Sequence, residues 1–300
     1  MSTAISIAPT TNLPSIPAGQ KLAGRVVLVT GASRGLGRQL VGALASAGAA
    51  VGLVARSAEQ LAEAQYELIT GGGTAVAVAA DVSDPEALRI AVEVVSRRLG
   101  PIDVLINNAG ITGPMGAAWE VNLEDWWRTL EINLRSVLTC TSLVLPSMIA
   151  RGHGRIINIT SQAGVFRWPL VSAYSVSKAA VIKLTENLAV ELKRTGVTAF
   201  SAHPGLLPIG LSEPALESRA PADSAEGKVS AWTRRELEEG RGVDPDAAVR
   251  FVLRIAAGDC DGLSGCHLSV HDDLEALIER ADAIRRHDLY TLRRWELPKD

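Results

Sequence analysis

The feature that most constrains the fold is a glycine-rich turn set between a strand and a helix. Arg25-Val26-Val27-Leu28-Val29 is a short apolar run rich in β-branched residues. Thr30-Gly31-Ala32-Ser33-Arg34-Gly35-Leu36-Gly37 follows it, and Arg38–Ala47 reads as a helix. A strand so uniformly apolar is buried on both faces, which is the pattern of a parallel sheet. Glycines let the backbone turn tightly and approach a pyrophosphate, and the helix N-terminus offers unpaired N–H groups to an anion. Such a turn also occurs as a plain strand-to-helix connection, so by itself it constrains architecture more than function.

The alternation continues along the chain. Strands are predicted at Arg25–Thr30, Ala50–Ala55, Thr74–Ala79, Ile102–Ile106, Gly154–Ile159, Val197–Ala202 and Cys266–Val270. Helices are predicted at Gly35–Ala47, Ala58–Thr70, Pro85–Leu99, Leu123–Ala150, Ala173–Arg194 and Pro245–Ala257. Ser83-Asp84-Pro85-Glu86 and Asp244-Pro245 are helix starts, with a capping residue before a first-turn proline. Together these imply an α/β fold, a doubly wound parallel sheet of seven strands with helices on both faces. With 300 residues and 47% hydrophobic composition the chain can bury one sizeable core. We expect a flexible N-terminal arm at 1–20, a single domain at 21–271 and a C-terminal helical extension at 272–300. An irregular segment at about 206–242 has the length of a lid or binding loop.

Composition also narrows the partners. A net charge of −3 gives no electrostatic reason to expect nucleic acid or an anionic membrane. Gln39–Ala55 is uncharged, but Gly48 divides it into helix and strand, so it reads as a buried segment rather than a membrane span. Three cysteines form no disulfide framework in a chain of this size, and a cytoplasmic location fits them. Neither the five histidines nor Cys260, Cys266 and His267 have a familiar metal-site spacing, so no metal is expected.

Chemistry enters with Tyr174-Ser175-Val176-Ser177-Lys178. Tyr174 and Lys178 stand four apart on one helical face. An ammonium beside a phenol favours the phenolate, which otherwise appears near a pKa of about 10. Ser161 lies thirteen residues before the tyrosine, at the C-terminal edge of a strand, and its hydroxyl can hold a carbonyl or alcohol oxygen against that phenol. Such a trio moves a proton onto or off an oxygen and needs a hydride carrier to complete a reaction.

At these residues the chain resembles the short-chain dehydrogenase/reductase family over about residues 22–270. Thr30-Gly31-x-x-x-Gly35-x-Gly37, Asn107-Asn108-Ala109-Gly110, Pro204-Gly205 and the series Asn133, Ser161, Tyr174, Lys178 match its motifs in order. The resemblance implies a Rossmann-type fold, an NAD(P)-dependent oxidoreductase of the alcohol/carbonyl class, and a homodimer or homotetramer. It implies that Asn133, Ser161, Tyr174 and Lys178 are catalytic, Asn133 by holding a water linked to the lysine. The implied cofactor contacts are Gly31, Ser33, Arg34, Gly35, Leu36, Gly37, Arg56, Asp81, Val82, Asn108, Ala109, Gly110, Tyr174, Lys178, Pro204, Gly205 and Leu207. The implied substrate contacts are Ser161, Ala163, Phe166, Trp168, Tyr174 and Leu211, with Trp119 nearby, and a small hydrophobic substrate; these apolar residues equally suit a core or an interface. A noncatalytic nucleotide-binding or scaffold protein on the same fold is the alternative.

Cofactor choice turns on Val54-Ala55-Arg56-Ser57. An NAD site usually carries an acid there for the ribose 2′-hydroxyl. Here Arg56, with Arg34 in the glycine turn, suits a 2′-phosphate, so NADP is expected over NAD. Ile209 stands where the family usually has a threonine that bonds the nicotinamide amide, leaving backbone groups near Leu207 to do so.

Overall fold

The structure is a computed structural model and describes residues 21–294. The expected arm at 1–20 and residues 295–300 lie outside the described residues. Seven strands form one parallel sheet: β1 (Val26–Thr30), β2 (Ala50–Ala55), β3 (Thr74–Ala79), β4 (Val104–Asn107), β5 (Gly154–Ile159), β6 (Val197–His203) and β7 (His267–Ser269). Their order is β3-β2-β1-β4-β5-β6-β7. Side chains alternate between the two faces, as strand geometry requires. Val27 and Val29 enter the core shared with α1 (Gly35–Ser46), α2 (Ala58–Thr70) and α9 (Pro245–Ala257). Val26 and Leu28 enter the opposite core, shared with α3 (Pro85–Leu99), α5 (Ser136–Arg151) and α6 (Ser172–Glu191).

Several expectations shift by a residue or two, because hydrogen bonds rather than apolar runs set the ends. The fourth strand starts at Val104, not Ile102, and the seventh contracts to three residues. The helix expected at Leu123–Ala150 is one rod in three pieces: α4 (Leu123–Leu130), a π-helical turn (Glu131–Arg135) and α5. By length and composition this rod is the one helix among the described residues able to cross a membrane. It sends Ile132, Cys140, Val144 and Met148 into the core.

The segment 206–242 is more ordered than expected. It holds α7 (Glu213–Glu217) and α8 (Ala225–Glu238), the latter capped by the Ser224 hydroxyl, which accepts from Gly227 N–H at 3.0 Å. After β7, the expected helical extension holds two short helices, α10 (Leu274–Glu279) and α11 (Ala281–Arg286), separated at Arg280. Leu274, Leu277 and Ile284 bury against the main core, and Tyr290 carbonyl accepts from the backbone N–H of His267 at 2.7 Å, covering part of the β7 edge.

Candidate active site

The strand order reverses between β1 and β4, and in open α/β sheets ligands bind at such a reversal, beyond the carboxyl ends of the strands. The turns after these two strands are bound to each other. Thr30 Oγ1 accepts from Asn108 N–H at 3.0 Å and from Ala109 N–H at 3.1 Å. Asn108 Nδ2 donates to Thr30 O at 2.9 Å and to Gly31 O at 3.2 Å. Gly31 has φ +66° and packs so closely that a Cβ on it would lie 2.9 Å from Ala109 Cα. A Cβ on Gly37 would lie 2.1 Å from Gly31 O. The glycines therefore let the start of α1 close onto the turn. The first turn of α1 carries no acidic residue, so its N–H groups and dipole remain available to an anion.

Arg34 immediately precedes α1, and Arg56 is exposed just past β2. Arg56 lies near Asp81, whose carboxyl is lowered, against the upward push of its burial, by hydrogen bonds from Ser83 and by Arg128 and Arg56. Asp81 lies just before α3 and does not cap it. It closes a local turn, accepting from Ser83 N–H at 2.9 Å and Ser83 Oγ at 2.7 Å, while Asp84 caps the helix. Val82 is buried in the adjoining core. Ile209 packs against the main core and presents no side-chain donor; Leu207 is buried beside it. Gly205, with φ +86°, turns the chain after Pro204.

Asn133 explains the π-helical turn. Its Nδ2 donates to Ile111 O at 2.8 Å and Ser177 Oγ at 3.0 Å, and its Oδ1 accepts from Ile111 N–H at 2.9 Å. This side chain joins the loop after β4 to α6. Ser177 Oγ in turn donates to Tyr174 O at 2.7 Å. A Cβ on Gly110 would lie 3.2 Å from Asn133 Oδ1 and 3.7 Å from Lys178 Nζ, so these three converge.

Tyr174, Lys178 and Ser161 also converge. Lys178 is 5% exposed and donates from Nζ to Ile159 O at 2.8 Å. Its Nζ lies 5.6 Å from the Tyr174 ring centroid. Burial pushes Lys178 down to about 8. The Tyr174 phenol is pushed up by burial, opposed by a hydrogen bond with Ser161. The expected lowering by the ammonium is therefore not what sets the phenol in the free protein: burial raises it, and the lysine spends its short bond on a carbonyl. Tyr174 is therefore a protonated acid at neutral pH. Ser161 Oγ also accepts from Ala163 N–H at 3.1 Å, which fixes the hydroxyl beside the phenol.

Of the expected substrate contacts, Ala163 and Trp168 pack with Tyr174, together with Met115, Leu170, Val171 and Val229. Phe166 and Leu211 are 58% and 40% exposed, and Trp119 is 86% exposed. The sequence reading missed Trp232 on α8, whose ring meets Trp168 edge-on at 4.6 Å; Trp168 in turn meets Tyr174 edge-on at 6.5 Å. The contact spans 64 residues and leaves no local signal. His203 and His271 have ring centroids 6.3 Å apart. Among the described residues no group of three or more metal-ligating side chains forms.

Comparison with known proteins agrees with this geometry. The profile of the short chain dehydrogenases matches residues 25–218. A short chain dehydrogenase of Pseudocercospora fijiensis is 34% identical over 266 residues, covering 87% of this chain and 85% of that one. A 3-oxoacyl-[acyl-carrier-protein] reductase of Synechocystis is 39% identical over 193 residues, covering 64% of this chain and 78% of its own. A crystal structure of a gluconate 5-dehydrogenase from Burkholderia cenocepacia, in complex with NADP and tartrate, superposes with a TM-score of 0.74. Its identity is 30%, over 86% of this chain and 97% of that one.

Proposed function

The chain belongs to the short-chain dehydrogenase family of oxidoreductases, and from that premise we propose that it interconverts a carbonyl and a secondary alcohol on a small hydrophobic substrate, using NADP(H) in preference to NAD(H). The observation that carries this reading is the convergence of Tyr174, Ser161 and Lys178 at the sheet edge beside the glycine turn. The glycine cradle, the acid-free start of α1 and the two arginines suit a dinucleotide with a 2′-phosphate. When bound, the nicotinamide cofactor supplies the hydride for reduction or accepts it in oxidation.

The protein's own part is proton handling and placement. In reduction, the buried Tyr174 hydroxyl gives its proton to the carbonyl oxygen as charge develops there. Ser161 holds that oxygen, its hydroxyl positioned by the Ala163 N–H. The Lys178 ammonium, anchored on Ile159 O, stabilises the phenolate left behind and would hold the ribose of a bound cofactor. Asn133 keeps α6 in register with the loop after β4 through its bonds to Ile111 and Ser177. The apolar wall of Met115, Trp168, Leu170 and Val229 favours a hydrophobic substrate body.

A cytoplasmic setting and a homodimer or homotetramer belong to the same proposal. Leu138, Ile149, Val176 and Val190 on α5 and α6 are exposed apolar residues that a second copy would cover.

The pH dependence follows from the two opposed shifts. Lys178 loses its proton as pH rises through about 8, whereas Tyr174, pushed up from its ordinary value, keeps its own through that window. Reduction at saturating NADPH is expected to hold steady below neutrality and fall above about pH 8. Lys178→Arg, with a guanidinium that stays charged, should lose that limb whatever its absolute rate. A parent profile flat from about pH 6 to about pH 9.5 would contradict the role given to the ammonium.

Cofactor choice is tested at Arg56. Arg56→Asp removes a charge-assisted bond worth about 1.5–3 kcal/mol and adds repulsion against the 2′-phosphate. The ratio of kcat/KM for NADPH over NADH should fall by about tenfold or more. An unchanged ratio in Arg34→Ala/Arg56→Asp would leave both arginines as surface charges.

A further inference from the structure

We propose that Glu213 sets the strength of cofactor discrimination by competing with the cofactor's 2′-phosphate for the guanidinium of Arg34, an inference that rests on the NADP reading above.

The segment after β6 folds back onto the glycine turn. A Cβ on Gly35 would stand 2.7 Å from Gly210 Cα, and one on Gly210 would stand 3.1 Å from Gly35 Cα. Both glycines hold positive φ, +54° and +67°, so the two backbones touch where side chains would forbid it. This approach brings the first residue of α7 to the turn. Glu213 Oε2 lies 3.8 Å from Arg34 Nη1. Arg34 is the residue that precedes α1, and α1 has no acid in its first turn. Glu213 is thus a carboxylate supplied from elsewhere in the chain to a cation at a helix N-terminus, the place where an anion is favoured.

A 2′-phosphate carries up to about two negative charges and three acceptor oxygens, so it takes Arg34 from a single carboxylate. The free energy of the Glu213–Arg34 pair is given up in that exchange. A cofactor with a free 2′-hydroxyl makes no such demand on Arg34. Glu213 therefore weakens NADP(H) while leaving NAD(H) alone. It also ties cofactor choice to the segment that carries Val229 in the cluster of Tyr174 and Trp232 against Trp168, since freeing Arg34 releases a tie on the start of α7.

The pair is half exposed, with side-chain exposures of 61% and 42%, so the effect is modest. Exposed pairs are worth a few tenths to about 1 kcal/mol, which corresponds to up to about fivefold in affinity. The test is titration calorimetry with NADPH and NADH at low ionic strength on the full chain. Glu213→Gln should tighten NADPH by about threefold and leave NADH within experimental error. In an Arg34→Ala background the same substitution should give no gain, and added salt should erase it in the parent. Three outcomes overturn the proposal. The first is no change in NADPH affinity on Glu213→Gln, with thermal melting unchanged. The second is an equal gain without Arg34, which makes Glu213 a source of general repulsion. The third is a parent that binds NADPH and NADH alike, which removes the NADP reading itself and is recognisable before any Glu213 variant is made.

Discussion

Tyr174→Phe is expected to lower turnover by about 10²- to 10⁴-fold, the range of a lost general acid, while NADPH affinity stays within about twofold of the parent. The substitution removes only the phenolic oxygen. The ring stays in its apolar setting with Ala163, Val171 and Val229, and its edge-on contact with Trp168 is kept. Ser177 Oγ bonds the Tyr174 backbone carbonyl, not the phenol, so the tie to Asn133 also survives. The buried hydroxyl has Ser161 as its partner, and losing it should leave the melting temperature near that of the parent. The checks are steady-state kinetics, a direct NADPH titration and a thermal melt on one preparation. Turnover within threefold of the parent would remove the phenol from the chemistry.

The second large effect is steric. Gly37→Ala places a methyl 2.1 Å from Gly31 O and 2.6 Å from Asn108 Nδ2, both held in the bonded turns after β1 and β4. The neighbours include backbone, which cannot swing aside as a flexible side chain can. Overpacking of this kind costs about 1–3 kcal/mol, occasionally more, and this site belongs at the upper end. Opening the cradle should also cost most of the NADPH affinity. Gly42, in the same helix, has nothing within 4 Å of its missing Cβ. Gly42→Ala should be neutral or stabilising by up to about 1 kcal/mol, from helix propensity alone. Urea unfolding and NADPH titration of the two variants separate a packing effect from a general intolerance of α1. Equal behaviour of the pair would mean the cradle does not depend on that contact.

The residues explain what was readable and what was not. Buried strands such as Val26–Thr30 are legible because continuous β-branched runs have few other homes, and the glycine turn is legible because it must sit between that strand and α1. Asn133 was legible only as a motif residue, and the π-helical turn in which it lies was not. The helices α7 and α8 were not legible. Pro208, Pro214 and Pro221 interrupt the stretch, and α8 is polar along much of its length, so its two key residues, Val229 and Trp232, do not announce a face. Burial was the other blind spot. The four-residue spacing of Tyr174 and Lys178 correctly places them on one face. It carries no information on desolvation, which reverses the expected shift of the phenol. Glu213 was invisible for the same reason as Trp232, since its partner Arg34 is 179 residues away.

The central claim is that hydride passes between the cofactor and a carbonyl carbon in the site formed by Tyr174, Ser161 and Lys178. It is tested most directly with NADPH deuterated at the transferable C4 position, saturating protein and a panel of apolar ketones, analysed by mass spectrometry and NMR. The expected product is an alcohol with deuterium on the carbinol carbon, formed at a slower rate than with unlabelled NADPH, and formed by Tyr174→Phe at least about a hundredfold more slowly still. NADPH bound tightly, with no deuterium reaching any ketone in the panel, would contradict it and identify the chain as a nucleotide-binding protein without turnover.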